Sequence, residues 1–151
     1  MPRAPHEDDP RVLPPEAFEL LLANELRRAM RSQNFLTLVL LDASGPGADP
    51  LRDVARAIGD DVRETDVIAR TADRHLALVL LDADMNGCRR VVERLLVRLE
   101  EHGFPEPMEI AIGAACCPTD ATDVTGLWER AATSPIARRH AGPRTPNGQT
   151  S

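Results

Sequence analysis

Two kinds of hydrophobic pattern alternate along this chain, and their alternation limits the folds that the chain can adopt. In one kind, apolar residues recur every three or four positions, which predicts an amphipathic helix with one buried stripe. The other kind is a short, continuous apolar run bounded by turn-forming residues, which predicts a strand buried on both faces. A chain that alternates the two kinds is expected to fold into layers of helix and sheet.

The predicted order is helix, strand, helix, strand, strand, helix, strand, helix. Segments 66–70 and 76–81 are strands joined by five polar or small residues, which favours an antiparallel hairpin. We therefore expect an α/β (α+β) fold with a mixed central sheet, an antiparallel hairpin, parallel neighbours across the helical crossovers, and flanking helices mainly on one face. The predicted helices are 14–31, 50–58, 84–102 and 123–132, and the other predicted strands are 35–41 and 108–117.

Composition narrows the class of function. The 151 residues suit one domain, which we place at 13–142, between a disordered N-terminal segment at 1–12 and a disordered C-terminal tail at 143–151. A net charge of −6 and only 3% aromatic residues argue against nucleic acid as a partner. No apolar run is long enough to span a bilayer, so we expect no membrane partner and a cytoplasmic location.

The cysteines do not form a metal-binding motif. Cys88, Cys116 and Cys117 are odd in number and show no CxxC spacing, and the two adjacent ones should point to opposite faces of a strand. We therefore expect buried free thiols, and we expect no cofactor and no bound metal.

Several local strings, taken in order, resemble the GGDEF (diguanylate cyclase) domain family. The family has an E-x-x-R-A-x-R string in its first helix, a strand that carries a metal-binding aspartate, an R-x-x-D-x-x-x-R string, an S-I-G strand and a closing helix. The resemblance implies a fold like that of class III nucleotide cyclases. The matching segments here are 25–31, 41–42, 63–70, 111–113 with the turn at 118–120, and 131–142.

The signature that names this family is replaced. Where the family has Gly-Gly-Asp-Glu-Phe, this chain has Ala72, Asp73, Arg74, His75 and Leu76. In the family the glycines let the backbone approach the nucleotide, and an acidic residue of the signature holds a divalent metal. The replacement fills that space with side chains and places positive charge where the resemblance implies a metal ligand. Asp42 is the one metal-ligand position that is retained, as a remnant.

Two further parts of the family's active site are altered. When the flanking elements are aligned by their hydrophobic periodicity, the segment between Asp42 and Asp49 is shorter than the family's by about ten residues. It also lacks the asparagine that binds guanine in the family. Arg139 replaces the closing lysine, and Pro135 is expected to interrupt the helix that would present it. The chain is therefore predicted not to be an active cyclase.

A second site of the family is better preserved. In the family, an R-x-x-D string before the signature is the inhibitory site that binds cyclic di-GMP. Arg63 and Asp66 match that string, and Arg28 falls at the position of a secondary arginine. Guanidinium groups bind phosphates and guanine edges, and a carboxylate can accept from guanine. The alternative is that Arg63 caps the preceding helix and that Asp66 pairs with it or bonds to its own backbone.

Other polar or aromatic residues have ordinary structural interpretations. We expect Asp42 to end its strand as a turn acceptor and Asp73 with His75 to lie in a solvated turn. Trp128 at helical spacing is expected in the core. The arginines of the third helix are interspersed with glutamates and predict a solvated face; they are Arg89, Arg90, Arg94 and Arg98.

The sequence thus predicts a catalytically inactive GGDEF-like domain in bacterial signalling. It would bind cyclic di-GMP or act as a protein-interaction module, through an unidentified protein partner or self-association. Two alternatives remain open at this point. One is a residually active cyclase that makes cyclic di-GMP from GTP, and the other is a dimerisation or scaffold domain that binds no nucleotide.

Overall fold

The protein was analysed as a computed structural model, which describes residues 12–59 and 66–143. Four helices and six strands occupy these ranges. The strands are β1 Val12–Leu13, β2 Leu36–Ser44, β3 Val67–Arg70, β4 Leu76–Leu81, β5 Met108–Cys117 and β6 Pro135–Ala141. The helices are α1 Pro15–Ser32, α2 Pro50–Ile58, α3 Met85–Glu101 and α4 Val124–Thr133.

One sheet contains all six strands, in the order β1-β3-β4-β2-β5-β6. Only β1 and β3 pair in parallel; every other neighbouring pair is antiparallel. The predicted hairpin is confirmed, with Arg70 opposite Leu76. The prediction of parallel neighbours across the crossovers is wrong, because each crossover skips one strand: β4 lies between β2 and β3, and β2 lies between β4 and β5.

The helices cover both faces of the sheet. Apolar residues of α2 and α3, including Val54, Ile58 and Leu95, pack on one face, whereas Phe18 and Leu22 of α1 pack with α4 on the other. The expectation that helices lie mainly on one face is therefore wrong. Helices cover both faces because alternate residues of the central strands β2 and β4 are buried on opposite faces, and each face then needs a covering layer.

Local capping explains where three of the helices begin. The carboxylates of Asp49, Asp84 and Asp123 accept hydrogen bonds from backbone N–H groups three residues further on, at 3.2, 2.9 and 2.6 Å. The cap at Asp84 thus begins the helix that was predicted at 84–102. None of the helices in the described residues combines the length and hydropathy that a bilayer-spanning helix needs.

The edges of the sheet differ most from the prediction. Strands β1 and β6 were not predicted. The expectation that Pro135 interrupts the closing helix of the family is confirmed, because α4 ends at Thr133 and β6 begins at Pro135. Proline lacks an N–H donor and suits the first residue of an edge strand. Phe35, at the start of the strand predicted at 35–41, is 42% exposed, and Met30 of α1 is 44% exposed.

Candidate functional site

The loop between β3 and β4, residues 71–75, which we call the signature hairpin, is closed by its own hydrogen bonds. The buried hydroxyl of Thr71 accepts from the backbone N–H of His75 at 2.8 Å and lies 2.5 Å from Oδ1 of Asp73. The N–H of Thr71 donates to the carbonyl of His75 at 3.0 Å. Arg74 adopts a positive φ of 66°, which completes the turn. The hairpin is therefore an ordered turn. Its residues Ala72, Asp73 and Arg74 are exposed, in agreement with the predicted solvated turn.

Asp73 is held in its ionised form. Partial burial tends to raise the pKa of Asp73, but the hydroxyl of Thr71 and the imidazole of His75 outweigh it and lower that pKa below its ordinary value. Nδ1 of His75 lies 3.2 Å from Oδ1 of Asp73, an ion-pair distance when the imidazole is protonated. The three side chains therefore form a small network that stabilises the turn.

Asp42 lies inside strand β2 and not at its end. The strand continues to Ser44, and Asp42 pairs with Ala111 of β5. The prediction of Asp42 as a strand-ending turn acceptor is thus wrong, because β5 extends far enough to keep the ladder going. Its exposed carboxylate lines a cavity of about 300 Å³ together with His75, Gly113 and Arg138.

The carboxylate of Asp49 is bound by an arginine from the neighbouring strand. One terminal nitrogen of Arg70 lies 2.8 Å from both carboxylate oxygens of Asp49, and both side chains are about four-fifths buried. Asp49 also caps α2 by accepting from the N–H of Arg52. The short segment after β2 is therefore attached to β3 by a partly buried ion pair, which the sequence interpretation did not anticipate.

These contacts limit the metal chemistry available at this end of the sheet, which we call the signature end and define by Asp42, Asp49, Arg70 and the signature hairpin. Divalent cations such as Mg²⁺ need several oxygen ligands close together. Within the described residues, no three or more His, Cys, Asp or Glu side chains gather in a way that could hold a metal ion.

The opposite end of β4 carries a different group of charges. Oδ1 of Asp66 accepts from the N–H of Leu81 at 3.3 Å. Asp66 lines a depression of about 370 Å³ together with Phe35, Arg90 and Arg94. The prediction for the arginines of α3 was a solvated face; Arg90 and Arg94 are exposed, but they also line this depression beside Asp66. We call this the Asp66 end.

The other residues of the predicted inhibitory-type site divide into two cases. Arg63 lies outside the described residues. Arg28 is described: its side chain is 74% exposed, lies 3.7 Å from Glu25, and lines a smaller cavity of about 130 Å³. That cavity shares Phe35 and Asp82 with the depression at Asp66. The structure thus places Arg28 and Asp66 at the same end of the sheet, in neighbouring cavities.

The cysteines are buried free thiols, as predicted. Burial, with a smaller contribution from Cys116, raises the pKa of Cys88 to about 12 and raises that of Cys117. Thiols with raised pKa values are poor nucleophiles and poor metal ligands at neutral pH. Cys88 on α3 and the two cysteines at the end of β5 are therefore residues of the buried core.

Comparison with protein families matches residues 46–143, more than half of the chain, to the family described as diguanylate cyclase, GGDEF domain. Comparison with curated proteins finds no match. The matched range includes the signature hairpin, Asp66 and helices α2 to α4, whereas Asp42 and Phe35 precede it.

Solved structures of GGDEF domains have the same fold. The FimX GGDEF domain from Pseudomonas aeruginosa has a TM-score of 0.71 and 18% identity, over 83% of this chain and 89% of that chain. Diguanylate cyclase SiaD from the same organism, solved with its activator SiaC, has a TM-score of 0.71 and 18% identity. The match covers 83% of this chain and 55% of the SiaD chain. A microbial GGDEF domain studied for its interaction with cyclic di-GMP has a TM-score of 0.64 and 20% identity, over 82% of this chain and 86% of that chain. At these identities the likeness concerns the fold alone.

Proposed function

The chain belongs to the diguanylate cyclase GGDEF domain family, and we propose that it is a member that no longer synthesises cyclic di-GMP and instead serves bacterial signalling as a regulatory module that binds it. Both halves of this proposal rest on how charged side chains are used at the two ends of the sheet. The observation that carries it is a contrast: Asp49 and Arg70 are paired at one end, whereas arginines line an open depression at the other.

The argument against synthesis concerns metal ions. Transfer of a phosphoryl group to a sugar hydroxyl depends on divalent cations that neutralise charge on the triphosphate. At the signature end, Asp49 is bound by Arg70, and Asp73 is bound within the signature hairpin. Asp42 is therefore the one carboxylate there that is exposed and has no side-chain partner among the described residues. A single carboxylate is too few ligands for Mg²⁺. Arg74 adds positive charge to the hairpin that should face this metal.

The argument for binding concerns the shape and charge of the Asp66 end. Cyclic di-GMP presents two anionic phosphates and two guanine edges. Arg90 and Arg94 lie one helical turn apart on α3, so both guanidinium groups can face the same ligand. Asp66 lies beside them and can accept from guanine N–H groups, and the exposed ring of Phe35 offers an apolar surface against which a base can pack.

Two structural relatives support binding of cyclic di-GMP and contact with a partner protein as roles for this fold. One was studied for its interaction with cyclic di-GMP, and another was solved as a complex with a protein activator. We extend each observation to this chain as part of the proposal: cyclic di-GMP is the ligand of the Asp66 end, and the response is passed on through contact with a partner protein.

Titration calorimetry with cyclic di-GMP tests the binding half. We expect the wild-type protein to bind, and Arg63→Ala to weaken binding by about ten-fold, since a charge-assisted hydrogen bond contributes roughly 1.5–3 kcal/mol. The matched control is Arg89→Ala, because Arg89 is exposed on α3 but does not line the depression. Absence of binding to the wild type at tens of micromolar would eliminate the receptor role and leave a nucleotide-free scaffold.

Incubation with GTP and Mg²⁺, followed by chromatography of the products, tests the synthetic half. We expect no cyclic di-GMP above the level of a protein-free blank. The positive control is an active diguanylate cyclase in the same buffer. Turnover by the wild-type protein that disappears in Asp42→Asn would show that the retained aspartate still supports catalysis, and the proposal would then be wrong.

A further inference from the structure

A further depression lies next to the signature hairpin, on the face of the sheet that α1 and α4 cover. Its volume is about 450 Å³, larger than that of the cavity beside Asp42 or of the depression at the Asp66 end. Its floor is apolar and consists mainly of Phe18, Leu22 and Trp128, and one wall is the signature hairpin. The rings of Phe18 and Trp128 are tilted by 55° with their centroids 6.1 Å apart, and the indole is only partly buried. Trp128 therefore serves the core, as expected, and also presents an aromatic surface to solvent.

The charges around this depression have one sign. Glu19, Asp73 and Glu129 line it, whereas no Arg, Lys or His occurs among its described lining residues. Glu19 is the fifth residue of α1 and Glu129 the sixth of α4, so neither lies in a first turn, where the helix dipole would account for a carboxylate. An anionic ligand would be repelled here. A cation with an apolar body is the complementary chemistry.

The form of the depression favours a protein segment over a small metabolite. Small-molecule sites enclose most of their ligand. This depression is open on one side, with an apolar, aromatic floor and a polar rim, which is the anatomy of a protein interface. Arginine suits such a surface better than lysine, because its planar guanidinium can stack on an indole while it pairs with a carboxylate.

We infer that this depression docks an arginine-bearing amphipathic segment of a partner protein. Leucine-like side chains of that segment occupy the floor beside Phe18, and its guanidinium groups lie over Trp128 and reach Glu19 and Glu129. The inference rests on the proposed function only in supposing a protein partner; the site does not use the Asp66 end.

The chain provides its own reporter for this site. Trp128 is the only tryptophan, and the chain has no tyrosine, so the intrinsic fluorescence comes from the floor of the depression. The probe is a synthetic amphipathic helical peptide with leucine on one face and arginine on the other. We expect a saturable blue shift of tryptophan emission, weakened by added salt. The same peptide with glutamate in place of arginine is expected to cause no shift.

A charge-reversed pair of variants locates the effect. Glu129→Arg should weaken binding of the arginine peptide by about ten-fold, because it replaces an attraction with a repulsion. The matched control is Glu93→Arg, an equally exposed glutamate on α3, on the other face of the sheet, and it should stay within about two-fold of the wild type. Circular dichroism of both variants checks that they are folded.

Three results would overturn the inference: no shift with the arginine peptide, an equal shift with the glutamate peptide, or unchanged affinity in Glu129→Arg. A shift that depends on protein concentration without any peptide would also overturn it, because the occupant would then be a second copy of the chain. None of these results changes the calorimetric binding of cyclic di-GMP at the Asp66 end, so failure here is distinguishable from failure of the proposed function.

Discussion

The two ends of strand β4 carry the same kinds of charged side chain, yet they use them in different ways. At the signature end, Asp49 and Arg70 bind each other at 2.8 Å and are largely removed from solvent. At the Asp66 end, roughly 20 Å away along six residues of strand, Arg90 and Arg94 are exposed around a depression of about 370 Å³. Residue types alone therefore do not define a site; what matters is whether an arginine is paired and largely buried, as Arg70 is, or exposed, as Arg90 and Arg94 are.

The comparison has a simple energetic basis. Metal ions and phosphates bind where a protein offers charge that it has not already neutralised, because each new contact must replace solvation. A ligand at the signature end would have to separate Asp49 from Arg70, whereas a ligand at the Asp66 end would meet guanidinium groups that water already surrounds. Under the proposed function, the Asp66 end would bind ligand while the ion pair at the signature end would contribute only stability.

The largest expected effect is on ligand binding at the Asp66 end. Arg90→Ala combined with Arg94→Ala should weaken binding of cyclic di-GMP by about 100-fold, since each charge-assisted hydrogen bond contributes roughly 1.5–3 kcal/mol. Calorimetry measures the loss. The control is Arg138→Ala combined with Arg139→Ala, which removes the same charge from β6 at the far edge of the sheet. An equal loss in both double variants would mean that only net charge matters.

The next effect is on stability at the signature end. Arg70→Ala should lower the free energy of unfolding by about 2 kcal/mol, because it leaves the partly buried carboxylate of Asp49 without its partner. Urea denaturation followed by circular dichroism measures this. The matched variant Arg90→Ala should change stability by less than about 0.5 kcal/mol. If the two arginine variants were equally stable, the contrast between the ends would be lost.

A smaller effect is expected inside the signature hairpin. Thr71→Val keeps the shape of the side chain but removes the hydroxyl that accepts from the N–H of His75 and contacts Asp73. The expected loss of stability is about 1 kcal/mol. Hydrogen exchange of the His75 amide should accelerate in this variant. Unchanged exchange would show that the hydroxyl does not hold the turn.

The smallest effect concerns pH. Because the folded protein lowers the pKa of Asp73, this carboxylate stabilises the fold at pH values above its unfolded pKa, and the contribution disappears as pH falls through the folded pKa. The side chain is 49% exposed, so solvent screening limits the effect to a few tenths of a kcal/mol. Asp73→Asn should therefore flatten the decline of stability below pH about 4 only slightly. Stability of the variant that declined more steeply than the wild type would contradict the sign.

The interior elements could be predicted from sequence because their signals are local. Strand β5 was predicted at 108–117 and forms at those residues, since a largely apolar run ends there at Pro118. Helix α1 and the β3–β4 hairpin follow from spacing in the same way. Local periodicity does not report which strands become neighbours, and for that reason the crossovers and the second helical layer were predicted wrongly.

The edges and the charge pairs could not be predicted, for two physical reasons. Strand β6 is polar and mostly exposed, so it lacks the apolar run that identifies a buried strand. The contact of Asp49 with Arg70 joins residues 21 positions apart, and it depends on how α2 meets the sheet. In the same way, Arg90 and Arg94 are solvated as predicted, but local sequence could not show that they line a depression together with Asp66.

Hydrogen–deuterium exchange of the wild-type protein with and without cyclic di-GMP tests the contrast between the two ends most directly, because it reports both in one measurement. The account predicts slower exchange around residues 80–94, at the end of β4 and the start of α3, and unchanged exchange at 71–75. Protection of residues 71–75 by cyclic di-GMP, with no change at 80–94, would contradict it.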